Sequence, residues 1–208
     1  MIIINYHNIL PQPPNPFFAQ VRREWQTRDA FEQQIVALRS RFRMVNLQDI
    51  VEALKAGKKH ADYCAVTFDD GNFGAYHYGL PILEKHGVPA TFFIITGQVE
   101  NDRTRTLYYF DWLEAALFLT RQQRLDLSDF GLGEFPIETI EQKVAFFKWF
   151  RRQVKVIPAP QKRHIDATLS HQLAVCADYI SDYLSHEAYR MMTWQQIADF
   201  RNRGGTGG

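Results

Sequence analysis

Short apolar runs punctuate the first half of the chain and predict the strands of a sheet. Residues 2–4 form the first run, and residues 63–68 form a longer one of β-branched, aromatic and small side chains. Residues 44–45 and 90–95 add two further runs. Runs of this length without polar alternation are typical of strands buried on both faces, as in a parallel sheet.

Amphipathic stretches lie between these runs and predict helices. Phe31 and Ile35 begin one pattern at helical spacing, a second pattern ends at Gly57, and a third covers about residues 75–85 before Gly87. Strands that alternate with helices in this way imply an α/β fold, with a parallel sheet and right-handed crossovers.

Adjacent carboxylates mark the point where the strand at residues 63–68 should end. The sequence TFDDG occupies residues 67–71, so Asp69 and Asp70 stand side by side before a glycine. Two carboxylates near a low-dielectric sheet edge repel each other unless a cation or a proton relieves the repulsion, and active sites of α/β folds gather at this edge. A metal-assisted site and an ordinary turn with Asx hydrogen bonds both explain the tripeptide taken alone.

The residues around the acidic pair belong to a longer pattern. It comprises residues 67–71, Tyr76 and residues 80–94, with further agreement at residues 5–9, 31–57 and 192–197. This pattern resembles the polysaccharide deacetylase family, also called the NodB-homology or chitin deacetylase-like family. The resemblance covers about residues 1–100 and 190–205, and the middle of the chain is not diagnostic.

The resemblance implies a separate role for each carboxylate. Asp69 matches the general base of the family motif, and Asp70 matches a ligand of a divalent metal, with zinc the expected ion. Family members complete the metal site with two histidines of a His-Ser/Thr-x-x-His motif, expected just after the helix that contains Trp194. This chain has no His-x-x-x-His pair, and Asp70 alone does not supply the roughly three protein ligands of a catalytic zinc.

The resemblance also implies a fold and a domain organisation. We expect a partial, distorted TIM-like (β/α) barrel of the polysaccharide deacetylase type with a long helical insertion. Residues 1–208 would form a single deacetylase-like domain, truncated before the His-Ser/Thr-x-x-His motif, and residues 101–190 would form the insertion within it. Because a partial barrel leaves a sheet edge open, we also expect self-association through that edge.

Two features of the sequence leave alternatives open. His7 ends the first strand, where it either faces the pocket beside Asp69 or has a structural role. Aromatic residues recur in the insertion, at residues 108–112, 118 and 146–150. Aromatic rings can stack on sugar faces, but their helical spacing favours packing in a core over a carbohydrate-facing lid.

Composition and charge narrow the classes of partner. The length of 208 residues, the hydrophobic fraction of 46% and the charged fraction of 23% predict a globular protein. A net charge of +1 without a basic stripe argues against binding to nucleic acid or to an anionic membrane surface.

Neither a membrane span nor an export signal is visible in the sequence. The longest apolar stretch, residues 90–95, is far shorter than the roughly 20 residues that span a bilayer. The apolar run at the start is too short for a signal sequence, which favours a cytoplasmic location. Cys64 and Cys176 lie far apart in the sequence, and we expect two buried free thiols.

The leading functional hypothesis is a metal-dependent hydrolase that removes acetyl groups from N-acylated sugars of an oligo- or polysaccharide. The alternative is a catalytically inactive truncated remnant or a sugar-binding pseudoenzyme, because the histidine ligands are missing. A phosphotransferase with an Asp-x-Asp nucleophile is disfavoured, since Asp69 and Asp70 are adjacent and no glycine-rich phosphate loop accompanies them.

Overall fold

The computed structural model describes residues 1–99 and 109–203, and the backbone of residues 206–207. The strands are β1 (Ile2–Tyr6), β2 (Asn8–Leu10), β3 (Trp25–Thr27), β4 (Arg43–Met44), β5 (Tyr63–Phe68), β6 (Ala90–Phe92), β7 (Arg124–Asp126), β8 (Glu134–Pro136) and β9 (Thr206–Gly207). The α-helices are α1 (Pro16–Val21), α2 (Arg28–Arg39), α3 (Leu47–Lys55), α4 (Leu80–His86), α5 (Tyr109–Leu119), α6 (Ile140–Gln153), α7 (Ala159–Leu173), α8 (Ala177–Leu184) and α9 (Trp194–Asn202).

Contacts along the chain divide it into two compact units. The first unit comprises Met1–Pro13, Glu24–Thr106 and Glu187–Gly208, and the second comprises Pro14–Arg23 and Leu107–His186. Most of the stretch predicted as a helical insertion therefore falls in the second unit, which also contains α1. The interpretation of the chain as one domain with an insertion stays a prediction.

A parallel sheet forms the framework of the first unit. Its strands follow the order β1-β5-β6-β9, and β4 pairs with the start of β5. All of these pairs are parallel, which confirms the predicted α/β class and the parallel sheet. Among the described residues the sheet does not close on itself, so the TIM-like barrel stays a prediction.

The helices of the first unit form where the apolar spacing predicts them. The hydroxyl of Thr27 caps α2 by accepting from the Ala30 N–H at 3.1 Å, and the helix buries Phe31 and Ile35. The helix predicted near residues 75–85 is regular only in its second half, α4. The first half, Ala75–Gly79, is a π-helical turn, a feature that is frequent at functional sites.

Aromatic rings pack through the core of the first unit next to the end of β5. The ring of Phe68, which is fully buried, contacts Tyr6, Phe31 and Phe92 at centroid distances of 5.6, 5.8 and 4.6 Å. Burial, with a smaller contribution from Cys64, raises the pKa of Tyr6 to about 12. Tyr6 therefore stays neutral near pH 7, and its hydroxyl donates to Gln34 Oε1 at 2.8 Å.

The second unit is mainly helical, and its aromatic side chains pack against one another. Phe110 of α5 contacts Phe147 of α6 at 6.1 Å, and Tyr109 contacts Phe150 at 6.4 Å. Phe147 and Phe150 have no exposed surface. The packing interpretation is confirmed for these residues, whereas Tyr108 lies outside the described part of the chain.

A buried ion-pair network also stabilises the second unit. Arg22 pairs with Asp111 and with Glu114, whose Oε2 lies 2.6 Å from the guanidinium Nε and whose side chain is fully buried. The hydroxyl of Tyr183 donates to the other oxygen of Glu114 at 3.2 Å. Burial alone would lower the pKa of Arg22, but the two carboxylates raise it above its ordinary value. A buried carboxylate is tolerated here because the network pairs it.

The two cysteines differ in exposure. Cys64 is buried in β5 and Cys176 is exposed, and both are free thiols. The prediction of a second buried thiol is therefore wrong, because Cys176 occupies the N-cap position at the start of α8. No helix among the described residues combines the length and apolar character needed to cross a bilayer.

We expect Phe68→Ala to lower the free energy of unfolding by about 3–5 kcal/mol, because it removes a fully buried ring from the aromatic core. Urea unfolding followed by circular dichroism measures this change. Phe93→Ala is a matched control, since Phe93 is 39% exposed. Its free energy of unfolding should fall much less than that of Phe68→Ala. Equal losses in both variants would contradict the assignment of Phe68 to the core.

We expect the protein to self-associate through β1. Among the described residues β1 pairs only with β5 in the sheet, and Ile2 and Ile3 are 38% and 52% exposed. An apolar edge strand can pair with another chain. Size-exclusion chromatography with light scattering should show oligomers that Ile3→Lys reduces. A clean monomer with cooperative unfolding would contradict this expectation.

Candidate active site

The acidic pair lies at the carboxyl end of β5, as the sequence predicts. The N–H of Asp69 donates to the carbonyl of Tyr6 at 2.9 Å, so Asp69 extends the pairing of β1 with β5 by one residue. Asp70 and Gly71 then adopt φ values of 71° and 81°. Aspartate is among the few non-glycine residues enriched in this left-handed region. The left-handed turn therefore begins at Asp70, one residue before Gly71.

The side chain of Asp69 contacts one residue of β1 and the residue that follows β1. Asn5 Nδ2 donates to Asp69 Oδ2 at 2.7 Å, and His7 Nε2 lies 4.0 Å from the same oxygen. Because strand side chains alternate between faces, Asn5 and His7 point to the same side. The His7 ring lies beside Asp69, and both alternatives for this residue stay predictions.

Both of these contacts involve one oxygen of the carboxylate. Within the described residues, Asp69 Oδ1 makes no hydrogen bond, and the Asp69 side chain is 40% exposed. A carboxylate with one anchored oxygen and one accessible oxygen can accept a proton from a bound water or substrate. Asp70, the neighbouring residue, is half-buried.

A distant segment fastens the turn that carries the acidic pair. The N–H of Met192 donates to the carbonyl of Gly71 at 2.8 Å, and the N–H of Phe73 donates to the carbonyl of Arg190 at 2.9 Å. Asn72 forms an antiparallel bridge with Met191. Residues 190–192 thus hold the turn on one side, although they follow it by more than one hundred residues in the sequence.

Phe73 anchors the other end of the same turn. The guanidinium of Arg190 lies 4.5 Å from the Phe73 ring, and the ring of His77 stacks on it at 4.9 Å. Nearby, the hydroxyl of Tyr78 donates to the carboxylate of Glu187 at 2.7 Å. Burial and this hydrogen bond raise the pKa of Tyr78 to about 12, so Tyr78 remains a neutral donor near pH 7.

Gly74 lets β2 approach the chain directly after the turn. A Cβ at this position would lie 2.2 Å from the Ile9 carbonyl oxygen and 2.2 Å from Asn8 Oδ1. Such distances exclude every residue except glycine unless the backbone moves. The Asn8 side chain is held in turn by donation from Nδ2 to the carbonyl of Ala188 at 3.1 Å.

The described residues do not assemble a metal-binding cluster. Among them, no group of three or more histidine, cysteine, aspartate or glutamate side chains is placed to hold an ion. Asp70 fits as a single oxygen donor, whereas a catalytic zinc takes about three protein ligands. The donor set that the structure describes therefore does not by itself fit the zinc that the resemblance implies.

Two residues of this site were missed from the sequence. Asn5 and Thr67 face each other across the β1–β5 pair, and the Thr67 hydroxyl lies 3.0 Å from Asn5 Oδ1. The only sequence signal is that both are polar residues inside otherwise apolar strands. Their partnership depends on strand register, which the sequence pattern does not reveal.

Proteins of the same name from two Staphylococcus species are similar in sequence to part of this chain. A poly-beta-1,6-N-acetyl-D-glucosamine N-deacetylase of Staphylococcus aureus is 30% identical over 110 residues, which is 52% of this chain and 35% of the relative. The Staphylococcus epidermidis protein of the same name is 23% identical over 146 residues, 66% of this chain and 47% of the relative. The chain thus spans between about a third and a half of these relatives' length.

Solved structures of deacetylases give weaker similarity. The Streptococcus pyogenes deacetylase PplD, in complex with acetate, has a TM-score of 0.43 and 23% identity, covering 56% of this chain and 50% of that one. IcaB from Ammonifex degensii has a TM-score of 0.41 and 19% identity, covering 99% and 80%. Values this low do not establish the fold.

The family assignment comes from the segment that contains the acidic pair. The family model described as polysaccharide deacetylase matches residues 56–117, which include β5, the turn at Asp69 and Asp70, and β6. The sequence relatives carry deacetylase names as well. The segment around Asp69 and Asp70 therefore matches the polysaccharide deacetylase family, as its pattern predicted.

Proposed function

We propose that the protein is a metal-dependent hydrolase that removes acetyl groups from N-acylated sugars of an oligo- or polysaccharide. The observation that carries this proposal is the strained turn at Asp69 and Asp70, which lies at the carboxyl end of β5 and within residues 56–117 matched by the family model. The relatives named as poly-beta-1,6-N-acetyl-D-glucosamine N-deacetylases support an N-acetylated glucosamine polymer as the substrate class.

Asp69 is the proposed general base. Its partly exposed carboxylate has one oxygen held by Asn5 and one oxygen without a hydrogen bond among the described residues. The second oxygen would take the proton of the water that attacks the acetamide carbonyl. A positioned base contributes roughly 10²–10⁴ to the rate of such a step.

Asp70 is the proposed ligand of a divalent cation, with zinc the expected ion. Aspartate oxygen is a normal zinc donor, and Asp70 directly follows Asp69 in the turn at the carboxyl end of β5. The described residues hold no cluster of three donors, so the remaining ligands would come from outside them.

We also propose that the five-stranded sheet is part of a distorted TIM-like barrel. The parallel pairing of β1, β4, β5, β6 and β9 supports this proposal. The position of Asp69 at the carboxyl end of a strand is also consistent with it, because active sites of such barrels lie at that end.

Asp69→Asn should abolish turnover while metal content stays unchanged, because the substitution removes the base and keeps the size of the side chain. Acetate release from N-acetylated glucosamine oligomers measures turnover. We expect a loss of roughly 10²-fold or more. Asp62→Asn is the matched control, since exposed Asp62 precedes the opposite end of β5. Full turnover in Asp69→Asn would contradict the assignment of the base.

Asp70→Asn should lower metal content, because the amide is a weaker ligand than the carboxylate. Asparagine also tolerates the left-handed φ of 71° at this position, so the turn is preserved. Elemental analysis after dialysis against zinc measures bound metal, and chelation followed by zinc should remove and restore acetate release. Equal metal content in Asp70→Asn and the unaltered protein would contradict the assignment of the ligand.

One result would favour the alternative function. If the unaltered protein releases no acetate with zinc present but still binds N-acetylated oligomers, a sugar-binding pseudoenzyme explains it better than a hydrolase. Binding is measured by calorimetry with the same oligomers that serve as substrates.

A further inference from the structure

A chain of polar side chains leads from inside the sheet to the acidic pair. The Thr67 hydroxyl lies 3.0 Å from Asn5 Oδ1, and Asn5 Nδ2 lies 2.7 Å from Asp69 Oδ2. Thr67 is 3% exposed, so the inner end of this chain is fixed in the sheet. Asn5 itself is exposed.

Strand geometry explains why Asn5 reaches both residues. The parallel register places Asn5 opposite Thr67, and Thr67 and Asp69 are two residues apart, so they point to the same face of β5. A side chain at Asn5 therefore lies between them. The Asp69 N–H donates to the Tyr6 carbonyl, which continues the β1–β5 pairing and fixes the Asp69 backbone next to β1.

The direction of each hydrogen bond follows from the chemistry of the partners. An ionised carboxylate only accepts hydrogen bonds, so the edge of Asn5 that faces Asp69 must be the NH₂ group. The amide oxygen then faces Thr67, whose hydroxyl can donate to it. Both ends of the Asn5 amide are thereby satisfied, and the orientation of the amide is fixed.

We propose that Asn5 is a positioning residue that holds Asp69 Oδ2 and keeps Oδ1 available as the proton acceptor. This inference rests on the proposed function for its effect on the rate, but the hydrogen bond can be tested separately. Aspartate and asparagine side chains rotate freely when nothing holds them, and a base gains its effect from a fixed geometry.

Neither of the other groups beside Asp69 fixes its carboxylate in this way. His7 Nε2 is 4.0 Å from Oδ2, which is longer than a hydrogen bond. Asp70, the adjacent residue, is an acceptor and cannot donate to a carboxylate when ionised. Asn5 is therefore the donor within hydrogen-bond distance of the Asp69 side chain among the described residues.

The first experiment compares Asn5→Ala with Asn5→Asp. Asn5→Ala should lower kcat about tenfold and leave KM within about twofold, because a charge-assisted hydrogen bond to the base is lost and substrate contacts are kept. Asn5→Asp preserves size and the contact with Thr67 but replaces the donor with an acceptor, so its kcat should fall at least as far. Gln33→Glu adds the same charge at an exposed position of α2 and should keep full activity.

The second experiment changes Thr67, the buried end of the hydrogen-bonded series Thr67–Asn5–Asp69. Thr67→Val removes the hydroxyl that orients Asn5 and should lower kcat by a smaller factor than Asn5→Ala. Thr67→Ser retains the hydroxyl, and its kcat should equal that of the unaltered protein. A purely structural role for Thr67 would instead give losses that follow side-chain volume, with serine worse than valine.

A third measurement does not depend on activity. In ¹⁵N-edited NMR spectra at pH 7, the side-chain amide signal of Asn5 should shift when Asp69→Ala removes its acceptor. Asp62→Ala should leave that signal unchanged. Identical Asn5 signals in the unaltered protein and Asp69→Ala would overturn the inference.

The outcomes separate this inference from the proposed function. If the unaltered protein releases acetate and both Asn5 variants keep its kcat, Asn5 has no positioning role although the function stands. If the unaltered protein releases no acetate, the function fails, and the NMR comparison alone decides whether Asn5 holds Asp69.

Discussion

The parallel pairing of β1 with β5 is the interaction on which the rest of the site depends. It joins residues more than sixty positions apart, from Ile2 opposite Cys64 to Tyr6 opposite Phe68. The same register places Asn5 beside Thr67 and brings the Tyr6 carbonyl to the N–H of Asp69. Because a shift of one residue would turn every side chain to the other face, the contacts of Asp69 follow from this register.

The turn after β5 places an unfavourable backbone conformation at the second of the two adjacent aspartates. Asp70 adopts a left-handed φ, which costs free energy for a residue with a Cβ. Two backbone hydrogen bonds offset that cost: the Met192 N–H donates to the Gly71 carbonyl, and the Phe73 N–H donates to the Arg190 carbonyl. The site is therefore held by segments far apart in sequence that meet at one sheet edge.

The two units differ in how they are stabilised. The first unit relies on a parallel sheet and a core of aromatic rings around Phe68. The second unit has its own aromatic core and a buried pairing of Arg22 with Glu114 and Asp111. The residues that contact Asp69 and its turn, Asn5, His7, Thr67 and residues 190–192, all belong to the first unit.

The sequence by itself determined the strands and helices with strong periodicity, and the position of the acidic pair. Apolar runs fixed β1, β5 and β6, and helical spacing fixed α2, because burial demands these patterns. The short pairs β2–β3 and β7–β8 went unpredicted, since these strands mix polar residues or proline with apolar residues and form no apolar run. The pattern also gave no sign that Glu114 would be buried, because a charged residue in an apolar helix needs a partner from elsewhere in the chain.

Tertiary structure alone decided which side chains meet at the site. Asn5, Thr67 and Asp69 are separated in sequence, and only the register of two strands brings their polar atoms within 3.0 Å of one another in succession. The fastening of the turn by residues 190–192 is likewise a long-range contact. Local patterns report which residues are buried, whereas the partners of a polar group depend on how distant segments are aligned in space.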